Sequence, residues 1–158
     1  MVGVGLGVRF YPKLIRSDKV GNRIGDWGFM DSVRAFDIPV DDMQRARKFY
    51  ERVFGWEIHT IPGSGGNFHS AHTAPVDEND EPQIRGAING GLFRRGTHGL
   101  NETFLEVSVP SIDEYLKKIE AEGGQLVTPK GPILDIAFFA VVKDTEGNAI
   151  GLWEDAKR

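Results

Sequence analysis

The sequence predicts one α+β domain in which two copies of a strand–helix–strand module fold around a shared cleft. Three observations predict it. First, the chain carries an internal repeat: Ala35–Met43 lies over Phe104–Ile112, with apolar residues meeting at 36/105, 38/107, 40/109 and 43/112. Acid meets acid at Asp37 and Glu106, and a helix-capping residue meets another at Asp42 and Ser111. Second, in each half the apolar period changes from two to about 3.6 and back to two, as a strand, a helix and further strands require. Third, the closing strands match, Gly91-Leu92-Phe93 over Gly151-Leu152-Trp153. One module alone would have a marginal core and an open sheet edge; two side by side solve both problems.

The elements follow in order. Val33 to Val40 reads as a strand with Phe36, Ile38 and Val40 on one face and Ala35 and Asp37 on the other. Asp42 caps a helix whose apolar stripe is Met43, Ala46, Phe49, Tyr50 and Val53, and Gly55 stands where a left-handed stop is needed. Trp56 to Ile61, Asn67 to Thr73 and Ile84 to Phe93 read as strands, with a polar loop from Pro75 to Gln83. In the second half Phe104 to Val109 is a strand, and Ser111 with Glu114 forms a capping box. The helix presents Ile112, Tyr115, Leu116 and Ile119 and stops at Gly123. Gln125 to Thr128, Ile136 to Val142 and Ala149 to Trp153 are strands, the last two joined by a turn over Asp144–Asn148.

Residues 1–31 form a separate, glycine-punctuated stretch, read as a flexible or irregular arm, with Met30 a candidate alternative start. The domain proper covers 32–158, with module one about 32–96 and module two about 101–155. A net charge of −4 argues against general nucleic-acid binding, which needs a basic stripe. The absence of cysteine excludes disulfides, thiolate metal sites and a cysteine nucleophile, and suits a reducing, cytoplasmic setting. No apolar run is long enough to cross a bilayer, so no membrane partner is expected.

Phe36-Asp-Ile-Pro-Val-Asp-Asp42 with Lys48-Phe-Tyr-Glu-Arg-Val-Phe-Gly-Trp56, Val107–Glu114 with Gly123-Gly124, and Asp144–Glu154 together resemble the vicinal oxygen chelate superfamily. That superfamily includes glyoxalase I, the bleomycin-resistance proteins and the extradiol dioxygenases. The resemblance covers about Val33 to Glu154 and implies a U-shaped, eight-stranded mixed sheet around a cleft, with the helices outside. It also implies, in metal-using members, a divalent ion held by His or Glu from the first and last strand of each module. In this chain those positions are Ala35, Gly91, Phe104 and Gly151, none of which offers a side-chain donor. Neither a metal nor another cofactor is therefore expected. A two-residue shift in register would bring Asp37 and Glu106 into play instead.

Asp37 and Glu106 are expected to point into the cleft, where paired carboxyl groups split their pKa values and act as acid and base. The plainer reading is that each is paired with a cleft arginine or a solvated amide. His69 and His72 form an H-x-x-H, but on a strand the odd spacing sends them to opposite faces. His72 alone, near the cleft mouth, is a candidate base or ligand-binding group. His59 and His98 read as a strand-surface and a loop residue. Arg94 and Arg95 suit an anionic ligand or, more commonly, a solvated rim. Phe93 and Trp153 share the cleft-facing side with Gly91 and Gly151, whose missing side chains deepen a cavity suited to a small apolar or planar ligand.

The leading expectation is a small-molecule-binding member without the usual metal. Its rivals are a metal-dependent lyase, isomerase or dioxygenase using Asp37, Glu106 and His72 as ligands, and a protein-interaction module paired through sheet edges. The resemblance further implies a homodimer.

Overall fold

A computed structural model describes residues 30–156, so nearly all of the arm expected over 1–31 lies outside the described residues. The domain runs β1 (Val33–Val40), α1 (Met43–Phe54), β2 (Glu57–Thr60), β3 (Phe68–His72), β4 (Gly90–Arg94), β5 (Phe104–Ser108), α2 (Ile112–Ala121), β6 (Gln125–Ile133), β7 (Ala137–Lys143) and β8 (Ala149–Asp155). All eight strands form one mixed, open sheet in the order β2-β3-β4-β1-β5-β8-β7-β6. From edge to centre each half uses its second, third, fourth and first strand. The halves join where β1 and β5 pair antiparallel, and each central strand pairs in parallel with the last strand of its own half.

The helices begin and end where local chemistry dictates. Asp42 Oδ1 accepts the Arg45 amide at 2.9 Å, and Gly55 adopts φ 69° while its N–H closes the last turn. Met43, Ala46 and Tyr50 of α1 pack on Ile38, Val40, Ile58, Ala71 and Leu92, and Tyr50 stacks on Trp56 at 4.9 Å. Ile112, Tyr115, Leu116 and Ile119 of α2 cover Val109, Ala140, Val142 and Leu152. A third apolar cluster, Phe93, Leu100, Phe104, Val141 and Ala149 with Phe68 and Phe139, includes the aromatic rings of the cleft.

Five expectations are corrected. The strand expected from Ile84 starts at Gly90, because Gly86 at φ 83° and the Ala87 N–H to Ile84 O bond turn the chain first. Strand β6 continues past Thr128 to Ile133 despite Pro129 and Pro132, which an edge strand with register shifts tolerates. Phe49 and Val53 are exposed because they flank the half-buried stripe of Met43, Ala46 and Tyr50 that α1 turns to the sheet. Leu105 is exposed because, among the described residues, it lies near the start of β5, away from Val107 and Val109, which join the cluster beneath α2. The capping box of α2 is half made: Ser111 Oγ accepts the Glu114 amide at 3.4 Å, and the Ile112 amide is taken by Glu154 Oε2 of β8 at 2.7 Å.

Glu154 thus ties α2 to the sheet, and it also accepts from Lys130 Nζ of β6 at 2.8 Å. Lys130 and the Ile112 N–H hold its carboxyl below the usual range. A depressed carboxylate contributes stability above its unfolded pKa, and that contribution fades as pH falls. Glu154→Ala, which strands a helix N–H, is expected to cost about 2 kcal/mol, roughly 4–8 °C in Tm near neutrality. In thermal melts the two proteins should converge toward acid pH.

Candidate functional site

Opposite the helices, the sheet encloses an open cleft of about 1290 Å³ lined by both halves. At its centre β1 contributes Asp37 and β5 contributes Glu106. The antiparallel pairing sets Ala35 opposite Glu106 and Asp37 opposite Phe104, so the two acids are diagonal neighbours on one face. Their carboxyl groups lie close enough to bear on each other's ionisation. Burial, reinforced by the negative charge of Glu106, pushes Asp37 up to about 8. Burial also raises Glu106, opposed by the neighbouring Asp37 and by Arg34. Both carboxyl groups are thus harder to ionise than free ones, Asp37 chiefly because it is buried beside Glu106.

Arg34 Nη1 donates to Glu106 Oε2 at 3.2 Å, and its guanidinium lies 3.8 Å from the Trp153 ring centroid. Around the charged floor stand Phe68, Phe93, Phe104 and Phe139, whose successive ring centroids are 6.4, 5.6 and 6.5 Å apart. The rim carries Ile84, Ile88, Ile133, Leu134 and Ile136, all exposed.

The cleft is lined by Ala35, Asp37, Gly91, Phe93, Phe104, Glu106 and Trp153. The expectation that the two glycines simply deepen the cavity is corrected. A Cβ on Gly91 would stand 2.6 Å from Asp37 Oδ1, so the glycine makes room for that carboxyl. A Cβ on Gly151 would stand 2.9 Å from the Phe139 ring and 3.2 Å from Phe104, so that space is filled by aromatic side chains. His72 also lines the cleft, but it gathers with Glu57 and His59; among the described residues it does not converge with Asp37 and Glu106 as a ligand group.

His69 points to the helix side. Its Nε2 is 3.1 Å from Thr60 Oγ1, and burial, then the charge of Arg47 on α1, lower its pKa. Arg95 is structural: it donates to Asp41 Oδ1, Asn101 O and Pro39 O, fixing the link between the halves. Sequence reasoning missed Arg34 and the partnership of Glu57 and His59 with His72. Alternation assigns Arg34 to the helix side, but a β-bulge between Val33 and Ala35 lets it reach the cleft, and one strand's pattern does not reveal a bulge.

Paired modules on an open mixed sheet, with an aromatic cleft over its central strands, define a two-module, cleft-forming fold. The chain belongs to the Glyoxalase/Bleomycin resistance protein/Dioxygenase superfamily, whose profile matches residues 32–152. It is similar to the Mycobacterium bovis protein named "Putative glyoxylase CFP32", 28% identical over 120 residues. That match covers 75% of this chain but 43% of the relative, so the chain spans less than half of that protein's length. Among solved structures, it is similar in fold to a superfamily member from Vibrio splendidus 12B01 (12% identity, TM-score 0.53, covering 80% of this chain and 99% of that one). Methylmalonyl-CoA epimerase from Mycobacterium tuberculosis is comparable (15% identity, TM-score 0.51, covering 79% and 88%).

The resemblance assigns four positions to a divalent ion. Ala35, Gly91, Phe104 and Gly151 carry no donor, side chains at the two glycines would collide with Asp37 or Phe139, and Arg34 already supplies the positive charge beside Glu106. Among the described residues, no helix is long and apolar enough to cross a membrane.

Proposed function

We propose that this protein binds a small, largely planar ligand without a metal at the superfamily's usual positions, in the manner of the drug-sequestering resistance proteins. One observation carries the reading: the four positions assigned to an ion hold Ala35, Gly91, Phe104 and Gly151, and the acids beside them, Asp37 and Glu106, are flanked by Arg34, which donates to Glu106 Oε2 at 3.2 Å. The aromatic walls supply apolar contact, and the pair presents both an acceptor and a protonated acid to a polar group on the ligand. A ligand with a planar apolar body and one amide, carbonyl or amine matches that lining.

The test is ligand-observed NMR with planar aromatic amides, ketones and amines, using protein stripped with chelator. Hits are expected to bind the stripped protein with no divalent metal added. Glu106→Gln is expected to weaken them by about tenfold or more, the range for losing a charge-assisted hydrogen bond. Divalent-metal binding that disappears in both Asp37→Asn and Glu106→Gln would replace this reading with that of a metal enzyme.

A further inference from the structure

A second cluster of titratable side chains stands at the edge of the sheet, apart from the carboxyl pair. On β2, Glu57 and His59 flank Ile58, whose side chain is buried beneath α1; alternation therefore sends Glu57 and His59 to the opposite, cleft-side face. The antiparallel pairing with β3 sets His72 directly opposite Glu57 and Ser70 opposite His59, which makes His72 a diagonal neighbour of His59. One ligand atom from each of Glu57, His59 and His72 lies within 4.8 Å of the others. His59 Nε2 is 3.7 Å from Glu57 Oε2, and the two imidazole centroids are 5.2 Å apart. Asp80, from the loop beyond β3, brings Oδ1 to 4.0 Å from His72 Nε2.

We propose that Glu57, His59 and His72 form a binding site for a borderline divalent cation of the Zn²⁺, Co²⁺ or Ni²⁺ class, with Asp80 as the acidic partner of His72. Two imidazoles and one carboxylate are the donor set of such ions, whereas Ca²⁺ and Mg²⁺ take oxygen ligands. At bond lengths of 2.0–2.2 Å, tetrahedral ligand atoms stand about 3.3 Å apart. The Glu57–His59 pair is close to that spacing already, and both side chains are solvent-exposed and free to close the remaining gap. Three donors leave coordination positions open. Because His59, His72 and Asp80 line the cleft, those positions face the space where a ligand enters. The site lies on β2 and β3 and is separate from the first and last strands where the superfamily's ion would sit. It does not depend on the carboxyl-pair reading.

The experiment titrates the chelator-stripped full chain with Co²⁺, following the visible ligand-field bands, and then displaces Co²⁺ with Zn²⁺ in a calorimeter. One ion per chain is expected. His59→Ala and His72→Ala should each weaken binding more than tenfold, and so should Glu57→Gln, which alters only an exposed side chain and leaves the core untouched. His98→Asn and Asp37→Asn, run alongside, should retain the ion. Circular dichroism checks that each variant is folded. Absence of binding at millimolar Co²⁺ would overturn the proposal. So would unchanged affinity in the Glu57, His59 and His72 variants, or loss of the ion on changing Asp37.

Discussion

Replacing Gly90 with alanine is expected to lower the melting temperature by roughly 6–12 °C, the largest effect of any single methyl group in the cleft region. Gly90 pairs with Phe36 across the parallel β1–β4 ladder. A Cβ at that position would stand 2.2 Å from the Phe36 carbonyl oxygen and 2.6 Å from its ring. The nearest obstacle is backbone, so no rotamer change relieves it, and the two strands must move apart. Overpacking of this kind costs up to about 3 kcal/mol, and thermal melts of the variant read it directly. Gly91→Ala provides the contrast. Its nearest obstacle is Asp37 Oδ1 at 2.6 Å, the end of a side chain that can rotate away. That variant should melt much closer to the wild type. A Gly90→Ala protein that melts with the wild type would show that the β1–β4 spacing is looser than described.

The substitution Asp37→Asn is expected to flatten the pH dependence of stability across the neutral range. The folded-state pKa of Asp37 is raised from 3.8 to about 8. The folded protein therefore binds more protons than the unfolded chain between those values. Stability is fully present below about pH 4 and is lost progressively as pH rises through about 8. Glu106, also raised, acts in the same direction. The amide of the variant would stay neutral beside Glu106 without titrating. A difference of at least about 1.4 kcal/mol, or roughly 3–6 °C in Tm, is expected at the alkaline end. Melting temperatures of the two proteins should diverge as pH rises from about 4 to about 8, with the variant higher at the alkaline end. Parallel curves would mean that Asp37 is not held above its ordinary range.

The legible parts of the molecule are those set by local chemistry. Strand β1 is found at its predicted bounds because Val33–Val40 alternates cleanly, and Asp42 and Gly55 bound α1 because a cap and a left-handed stop need particular residues. The cleft positions of Asp37 and Glu106 follow from the same alternation. The rest depended on neighbours. Arg34 reaches Glu106 only through a bulge set against β5. The prolines of β6 are accommodated because that strand lies at the sheet edge, a place a single segment does not disclose. His72 finds His59 and Glu57 through cross-strand pairing, which no single segment discloses, while His69 lies on the opposite face as the odd H-x-x-H spacing predicts.

The antiparallel seam between β1 and β5 has a consequence for any separated half of the chain. One acid comes from each side of that seam, so neither half alone can set one carboxyl beside the other or raise Asp37 by that route. The part of the rise that Glu106 adds to the effect of burial is therefore present only when the halves are docked.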